Sequence, residues 1–67
     1  MAIMKSVEIM SESEKSFEDA IQKAITRTSK TVDNIRSAYV RDQTTTIKNN
    51  KIDMFRVTLK ITFEVGA

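Results

Sequence analysis

Residues 55–65 read Phe55-Arg56-Val57-Thr58-Leu59-Lys60-Ile61-Thr62-Phe63-Glu64-Val65, and this stretch decides the fold of the chain. Every odd position is apolar and every even position is polar or charged. Because a β-strand points successive side chains to opposite faces, the alternation predicts a strand with one dry face and one wet face. Neither Pro nor Gly interrupts the stretch, and Val, Thr, Ile and Phe suit a half-buried pleated surface. We therefore expect it to be the central strand of a small sheet.

The composition limits the size of the domain and the chemistry available to it. The chain has 67 residues, 11 Lys and Arg against 9 Asp and Glu, and neither His nor Cys. We expect a single domain over residues 1–67, too small to build an ample core alone. Disulfides are excluded, and the commonest metal ligand is missing. Oligomerisation is therefore the expected supplement to the core.

The charge and hydropathy patterns argue against several classes of function. A net charge of +2 is too small to indicate nucleic-acid binding. No apolar run is long enough for a membrane span, and the first residues do not resemble a signal peptide. Without His or Cys, and with one Gly, at position 66, the chain offers no nucleophile–base pair and no phosphate loop. We expect a cytoplasmic protein that is not an enzyme and has no catalytic residue.

The N-terminal half predicts a strand followed by a helix. Ile3–Met10 is the first strand, with Met4 and Met10 on its second face, either because that face meets another subunit or because methionines are tolerated near a terminus. Residues 11–16 are a polar connection. An apolar stripe over residues 17–25 predicts an amphipathic helix. Its start resembles a capping box of Ser16 and Asp19.

The end of the helix and the following hairpin are less sharply marked. We expect the helix to fray over residues 29–31, although Val32 and Ile35 would continue the apolar stripe by another turn. Residues 36–47 form a Thr-rich second strand, and residues 48–51 form a turn, because Asn tolerates positive φ. The third strand runs over residues 52–65, and residues 66–67 are a short tail.

These elements predict an α+β fold of β-α-β-β order. Inserting the third strand between the other two makes every pairing antiparallel and gives the strand order 1-3-2. The third strand would extend about 45 Å, whereas a helix of about 15 residues covers only about 22 Å. Other subunits must then cover the remaining apolar surface.

Three stretches carry a resemblance to a known family: Ser-Phe-Glu-Asp-Ala-Ile-Gln-Lys-Ala-Ile (16–25), Ser-Lys-Thr-Val-Asp-Asn-Ile-Arg (29–36) and the alternating stretch 55–65. Together they resemble the dodecins, small β-α-β-β proteins that assemble into hollow dodecamers and bind flavins. The resemblance covers essentially the whole chain. It implies a sheet partly wrapped around the one helix, and a hollow homo-dodecamer that stores or sequesters riboflavin, FMN or FAD.

The resemblance also implies a ligand site, on which this chain departs from the family pattern. Flavin-binding dodecins typically have a tryptophan at the position of Ser37 and often a glutamine at the position of Arg56. The candidate cofactor-binding residues are therefore Ser37, Arg56 and Tyr39, the aromatic residue on the same strand face as Ser37. Losing the aromatic platform removes stacking of about 1–3 kcal/mol, roughly a tenfold to hundredfold loss of affinity. Weak flavin binding is expected.

Each candidate has a plainer alternative. If it contacts no ligand, Ser37 is an ordinary strand residue. Arg56 would then form a cross-strand ion pair or an intersubunit contact. If Arg56 is instead a ligand contact, its guanidinium binds a phosphate or the polar edge of a ring. The alternative for the whole protein is a structural homo-oligomer of this fold that binds no flavin and serves another ligand, such as coenzyme A or a metal ion.

Two further groups bear on that alternative. A basic surface for a phosphate-bearing cofactor would use Arg41, Lys48, Lys51 and Lys60, each of which is otherwise a solvated charge. A cation on an oligomer axis would use oxygen atoms of Asp42, Gln43 and Asp53. Their spacing matches no calcium-binding loop, so no metal ligand is assigned.

Overall fold

The computed structural model describes residues 2–66 and has the order β1 (Ile3–Ser13), α1 (Phe17–Thr28), β2 (Ile35–Lys48) and β3 (Lys51–Val65). The strands form one antiparallel sheet in the order β1-β3-β2. The predicted α+β class, element order and central position of the third strand are confirmed. Within residues 2–66, no helix has the length and apolar character needed to cross a membrane. Of the predicted tail, Ala67 lies outside the described residues.

The core lies between α1 and the face of the sheet formed by the odd-numbered residues of β3. Val57, Leu59 and Ile61 are fully buried there, beneath two buried alanines of α1. At one end of the core, the rings of Phe17 and Phe55 meet edge to face with centroids 5.1 Å apart. Each fully buried aliphatic side chain contributes about 1.5–3 kcal/mol, so this small cluster holds the helix on the sheet.

β1 runs three residues further than its composition predicts. The polar residues 11–13, expected to be a connection, pair instead with residues 55–57 of β3. The predicted end at Met10 is wrong because the central strand offers backbone hydrogen-bond partners beyond that point, and this pairing outweighs the weak strand preference of Ser and Glu.

α1 begins where the sequence predicts. The Ser16 side chain accepts a hydrogen bond from the Asp19 backbone N–H at 2.9 Å, and Ser16 is the N-cap. The other half of the expected capping box is different. The Asp19 carboxylate accepts a 2.5 Å hydrogen bond from the hydroxyl of Ser13, a buried residue at the end of β1. Ser13 also accepts a hydrogen bond from the Lys15 N–H at 2.9 Å, so this one residue ties β1 to the start of α1.

This arrangement changes the acidity of Asp19. The hydrogen bond from Ser13 is the largest influence and lowers the pKa of the Asp19 carboxyl, and Lys23, 3.3 Å away, lowers it further. Partial desolvation acts in the opposite direction without cancelling these effects. The charged carboxylate is thus favoured at the N-terminus of the helix, where the helix dipole also favours it.

α1 ends at Thr28, and the suggested extra turn through Val32 and Ile35 does not form. Short-range bonds close the last turn, including the one from the Lys30 N–H to a carbonyl three residues earlier. Asn34 then takes a φ of 61°, which redirects the chain. Ile35 begins β2 opposite Phe63, so the extra turn is excluded because the sheet uses Ile35 as a strand residue.

The β2–β3 connection is a tight hairpin turn. Asn49 and Asn50 have φ values of 53° and 62°, the two positive values that a type I′ turn requires. The predicted turn is confirmed and is narrower than expected. β2 gains one residue at each end relative to the prediction, and β3 begins one residue earlier, at Lys51.

The helix leaves much of the apolar surface uncovered, as the lengths predicted. The long axis of the molecule measures 50 Å, whereas α1, with 12 residues, is only about 18 Å long. Large apolar side chains are exposed on both faces of the sheet and near the hairpin turn: Ile3, Met4, Val7, Met10, Ile47, Ile52 and Val65. A surface of this kind favours association with further subunits.

Candidate functional site

The face of the sheet opposite α1, called the open face below, carries the candidate residues. The odd-numbered residues of β3 pack on the helix, so its even-numbered residues point to the open face. On β2, Ala38 and Val40 pack into the core, which places Ser37 and Tyr39 on the open face. Both side chains are exposed, Tyr39 by 66%.

The strand register arranges this face in rows that cross all three strands. Successive rows are two residues apart along each strand, or about 6.6 Å. In the order β1, β3, β2, the rows are Ser6-Thr62-Ser37, Glu8-Lys60-Tyr39, Met10-Thr58-Asp42 and Glu12-Arg56-Thr44. We call the first of them the hydroxyl row, because all three members carry short hydroxyl side chains.

The hydroxyl row is the floor of a shallow trough. One wall is the long side chains of Tyr39 and Lys60. The other is the ion pair between Arg36 and Glu64, with Arg36 Nε 3.1 Å from Glu64 Oε1. Lys60 and Glu64 are four residues apart on β3, so the walls are separated by about 13 Å.

Two further arginines form ion pairs on the open face, and one of them, Arg41, also places Nε 3.9 Å from Asp42 Oδ2. Arg56 places Nη2 2.6 Å and Nε 2.8 Å from Glu12 Oε2. Arg41 lies at an irregularity in the β2 register and reaches across the central strand, with Nη1 2.6 Å from Glu8 Oε2. The hydrogen bond to Glu8 raises the pKa of Arg41 above its already high value, so the guanidinium stays charged.

The structure brings together two of the three predicted site residues. Ser37 and Tyr39 occupy neighbouring rows, at the floor and the wall of the trough. Arg56 shares their face but lies six residues along β3 from Thr62, the partner of Ser37, a distance of about 20 Å. Its guanidinium forms the cross-strand ion pair that the sequence left open as an alternative. A ligand role for the three residues stays a prediction.

The predicted basic surface does not form as one patch within a subunit. Arg41 and Lys60 lie on the open face, but Lys48 and Lys51 flank the hairpin turn. Lys51 is nine residues from Lys60 along β3, or about 30 Å. These two lysines therefore cannot share a small ligand with Lys60 inside one subunit.

The oxygen donors considered for a cation are also dispersed. Asp42 pairs with Thr58 on the open face, whereas Gln43 pairs with Val57 on the face that packs on the helix. Asp53 lies in the hairpin beyond the end of β1. Among residues 2–66, no group of three or more acidic residues could hold a metal ion.

Sequence reasoning missed Ser6, Thr62 and the Arg36–Glu64 wall. The alternation along β3 places Thr62 on the polar face, but it says nothing about which residues of the other strands lie beside it. Position 36 was assigned to β2, yet its partner on β3 depends on a register irregularity between residues 35 and 37. No local signal in the sequence marks that irregularity.

A second hollow, of about 480 Å³, lies beside the α1–β2 connection, at the same end of the sheet as the hydroxyl row, and shares Glu64 with one wall of the trough. Lys5, Phe63 and residues 31–34 and 64–66 line it. It contains neither Ser37 nor Tyr39, so it is distinct from the floor of the trough. Several of its lining residues are exposed, and the hollow opens widely to solvent.

Comparison with known proteins identifies the family. The family model described as Dodecin matches residues 3–66, nearly the entire chain. The chain belongs to the dodecin family. A search of curated proteins gave no match.

Solved structures agree with this assignment. The tt0972 protein from Thermus thermophilus is 28% identical, with a TM-score of 0.93 over 100% of this chain and 98% of the other. The dodecin from Streptomyces coelicolor, 21% identical, shares the fold with a TM-score of 0.91 over 98% and 94% of the two chains. The calcium dodecin from Mycobacterium tuberculosis, described as having a novel calcium-binding site, is 31% identical, with a TM-score of 0.81 over 94% and 90%.

Membership of this family supports assembly into a homo-oligomer. Assembly also fits the shape of the subunit, whose helix covers only part of the sheet. Dodecins as a family bind flavins, whereas the relative from Mycobacterium tuberculosis is described as a calcium dodecin.

Proposed function

We propose that this protein is a non-enzymatic, cytoplasmic dodecin that stores or sequesters a flavin (riboflavin, FMN or FAD) in a hollow homo-dodecamer. The observation that carries the proposal is the trough on the open face. Ser37 and Tyr39, predicted as ligand contacts, lie in neighbouring rows there, Ser37 in the floor of short side chains and Tyr39 in the wall beside it. A flavin ring lying on the hydroxyl row would pack its edge or face against Tyr39.

The role of the dodecamer is to complete this site. In one subunit, Arg56 lies about 20 Å from the trough floor, so it would reach a ligand there only from another copy of the chain. The apolar side chains left exposed on the open face, Met4 and Met10, supply contact area for that copy. We therefore expect ligand binding to depend on assembly.

The affinity is expected to be modest. A serine at position 37 offers no flat aromatic surface, and Tyr39 supplies only one ring to stack on the ligand. Losing one stacking partner costs about 1–3 kcal/mol, which corresponds to a roughly 5- to 150-fold weaker affinity.

Two measurements on the purified protein test the proposal. Light scattering should give a mass near twelve times the 7.6 kDa of one chain. Titration of riboflavin and FMN with protein, followed by flavin fluorescence, should show saturable quenching at high micromolar protein. A monodisperse monomer, or fluorescence that does not change up to millimolar protein, would contradict the proposal.

A second candidate function is calcium binding, favoured by the 31% identity to the calcium dodecin. One subunit gathers no cluster of carboxylates within residues 2–66, so a site would require symmetry copies. Asp42, exposed on the open face, is the residue we would place at such an axis. Calorimetric titration of the flavin-free protein with Ca²⁺, repeated on Asp42→Asn, would distinguish this candidate, because heat that survives the substitution excludes Asp42.

A further inference from the structure

We propose that the tip of the β2–β3 hairpin, residues 47–52, docks in the hollow beside the α1–β2 connection of a second copy of this chain. This inference rests on the proposed function, since it names one of the contacts that would build the homo-dodecamer. It depends on two uncovered apolar patches, which lie at opposite ends of the same face of the sheet.

The hairpin tip carries an exposed pair of isoleucines. Ile47 and Ile52 are register partners, and they are 61% and 57% exposed. Ile47 lies two residues beyond Thr45, the partner of Phe55, so the pair lies on the face of the sheet that packs on α1. β1 ends opposite Phe55, and α1 begins with Phe17 against the same ring. The tip therefore projects beyond both elements as a two-stranded arm.

The hollow lies at the other end of this face. Its floor contains the register pair Lys5 and Phe63, and Val65 continues the apolar side of β3 to the edge of the sheet. Val65 is 43% exposed and its partner Ile3 is 66% exposed, because α1 does not extend over them. The hollow therefore offers an apolar floor with about 480 Å³ of unfilled space above it.

One chain cannot bring the two patches together. Ile52 and Val65 are 13 residues apart on the continuous strand β3, a separation of about 43 Å. The tip must therefore meet the hollow of another copy. Such a contact joins two different surfaces of identical chains, and rotational symmetry closes contacts of this kind into a ring.

The tip also carries an unbalanced positive charge. Lys48 and Lys51 are register partners beside the turn, and like charges directly opposite each other repel. Asp53 is the nearest acidic residue along the chain, so residues 47–53 keep a net charge of +1. Neither lysine forms an ion pair within residues 2–66. A carboxylate on the docking surface would relieve the repulsion between them.

The hollow supplies such a carboxylate. Its charged lining residues are Lys5, Asp33 and Glu64. Glu64 is engaged by Arg36 at 3.1 Å, whereas Asp33 is exposed in the α1–β2 connection and forms no ion pair in the described part of the chain. The lysines of the tip point away from its isoleucines. A tip lying on the floor of the hollow would thus present them at the height of the connection that holds Asp33.

The first test is a disulfide cross-link, for which the natural chain offers a clean background because it has no cysteine. The assembled variant with Ile52→Cys and Val65→Cys should form covalent dimers and larger species on mild oxidation, seen on a denaturing gel without reductant. A disulfide needs Cα atoms within about 7 Å, so no link can form inside one chain. The matched control pairs Ile52→Cys with Gln22→Cys, an exposed position on α1, and should give no such series.

The second test reverses the charges and is read by light scattering at low ionic strength. Lys48→Glu with Lys51→Glu should raise the concentration needed for assembly by roughly two- to fivefold per contact, as for an exposed ion pair. Adding Asp33→Lys to the same chain should restore assembly, because each charge then meets its opposite again.

The outcomes separate this inference from the function on which it rests. A natural chain that stays monomeric overturns both. Normal assembly with no cross-linking beyond the control, together with no effect of charge reversal, overturns the docking alone. So does Ile52→Cys that reacts with a maleimide in the assembled protein as fast as Gln22→Cys, because the tip would then be free for another partner. Cross-linking through the hollow, or restoration by Asp33→Lys, supports the docking.

Discussion

Replacing Ser37 with tryptophan should strengthen flavin binding. Ser37 is exposed on the open face, outside the helix-packed core, and its partner on β3 is the short side chain of Thr62. An indole at this position therefore meets no buried neighbour and projects over the trough floor beside Tyr39. The substitution adds an aromatic surface without removing a core contact.

The magnitude follows from stacking. One aromatic side chain stacked on a planar base contributes about 1–3 kcal/mol, and each 1.4 kcal/mol changes an affinity tenfold. The introduced indole should therefore lower the dissociation constant for riboflavin and FMN by roughly 5- to 150-fold. Both flavins should gain by the same factor, because stacking acts on the ring and not on the phosphate.

Flavin fluorescence quenching at fixed protein concentration measures the effect, with light scattering to show that the assembly is unchanged. Gln22→Trp is the matched control, since it places the same ring on the exposed surface of α1, away from the open face. If Ser37→Trp assembles normally but binds flavin within twofold of the original protein, the missing aromatic platform is not what limits affinity, and the reasoning is refuted.

Three further predictions concern stability and are read from thermal unfolding at one fixed protein concentration, because assembly makes the melting temperature concentration-dependent. Leu59→Ala should cost about 2–5 kcal/mol by opening a cavity under α1; a loss below 1 kcal/mol would mean that the core is looser than described. Ser13→Ala should cost about 1–2 kcal/mol, since it removes the hydrogen bonds to Asp19 and from the Lys15 N–H, and an unchanged melting temperature would show that neither bond matters. The lowered pKa of Asp19 means that its contribution to stability is present above its ordinary pKa of 3.8 and is lost as the pH falls through the lower folded value. Asp19→Asn should therefore weaken the loss of stability that acid causes below pH 3.8. The neighbouring exposed Glu18→Gln is the control, and equal pH profiles for both variants would contradict the assignment.

Where the sequence succeeded, the signal was local. The alternation over residues 55–65 has a period of two and fixes both the strand and its buried face, because the pleat leaves no other arrangement. The Asn pair at positions 49 and 50 predicted the turn since Asn accepts positive φ. Ser16 was recognised as the N-cap for a similar reason, as its side chain acts within three residues of itself.

Where the sequence failed, the deciding partner was distant along the chain. Residues 11–13 look like a polar connection, but β3, more than 40 positions later, pairs with them. Ile35 fits the helical stripe and nevertheless joins β2, because the sheet offers it a place opposite Phe63. Asp19 was expected to close a capping box, and the buried hydroxyl of Ser13 binds its carboxylate instead.

By itself, the sequence determined the fold class, the order of the strands and the need for further subunits, because periodicity and element length follow from neighbouring residues alone. The tertiary structure alone decided which polar side chains share the trough. Register aligned Ser37 with Thr62 and Ser6, set Arg56 about 20 Å away, and let Arg41 engage Glu8 so that Lys60 remained without a described partner. These relations depend on how three strands align, and each strand carries only its own period of two.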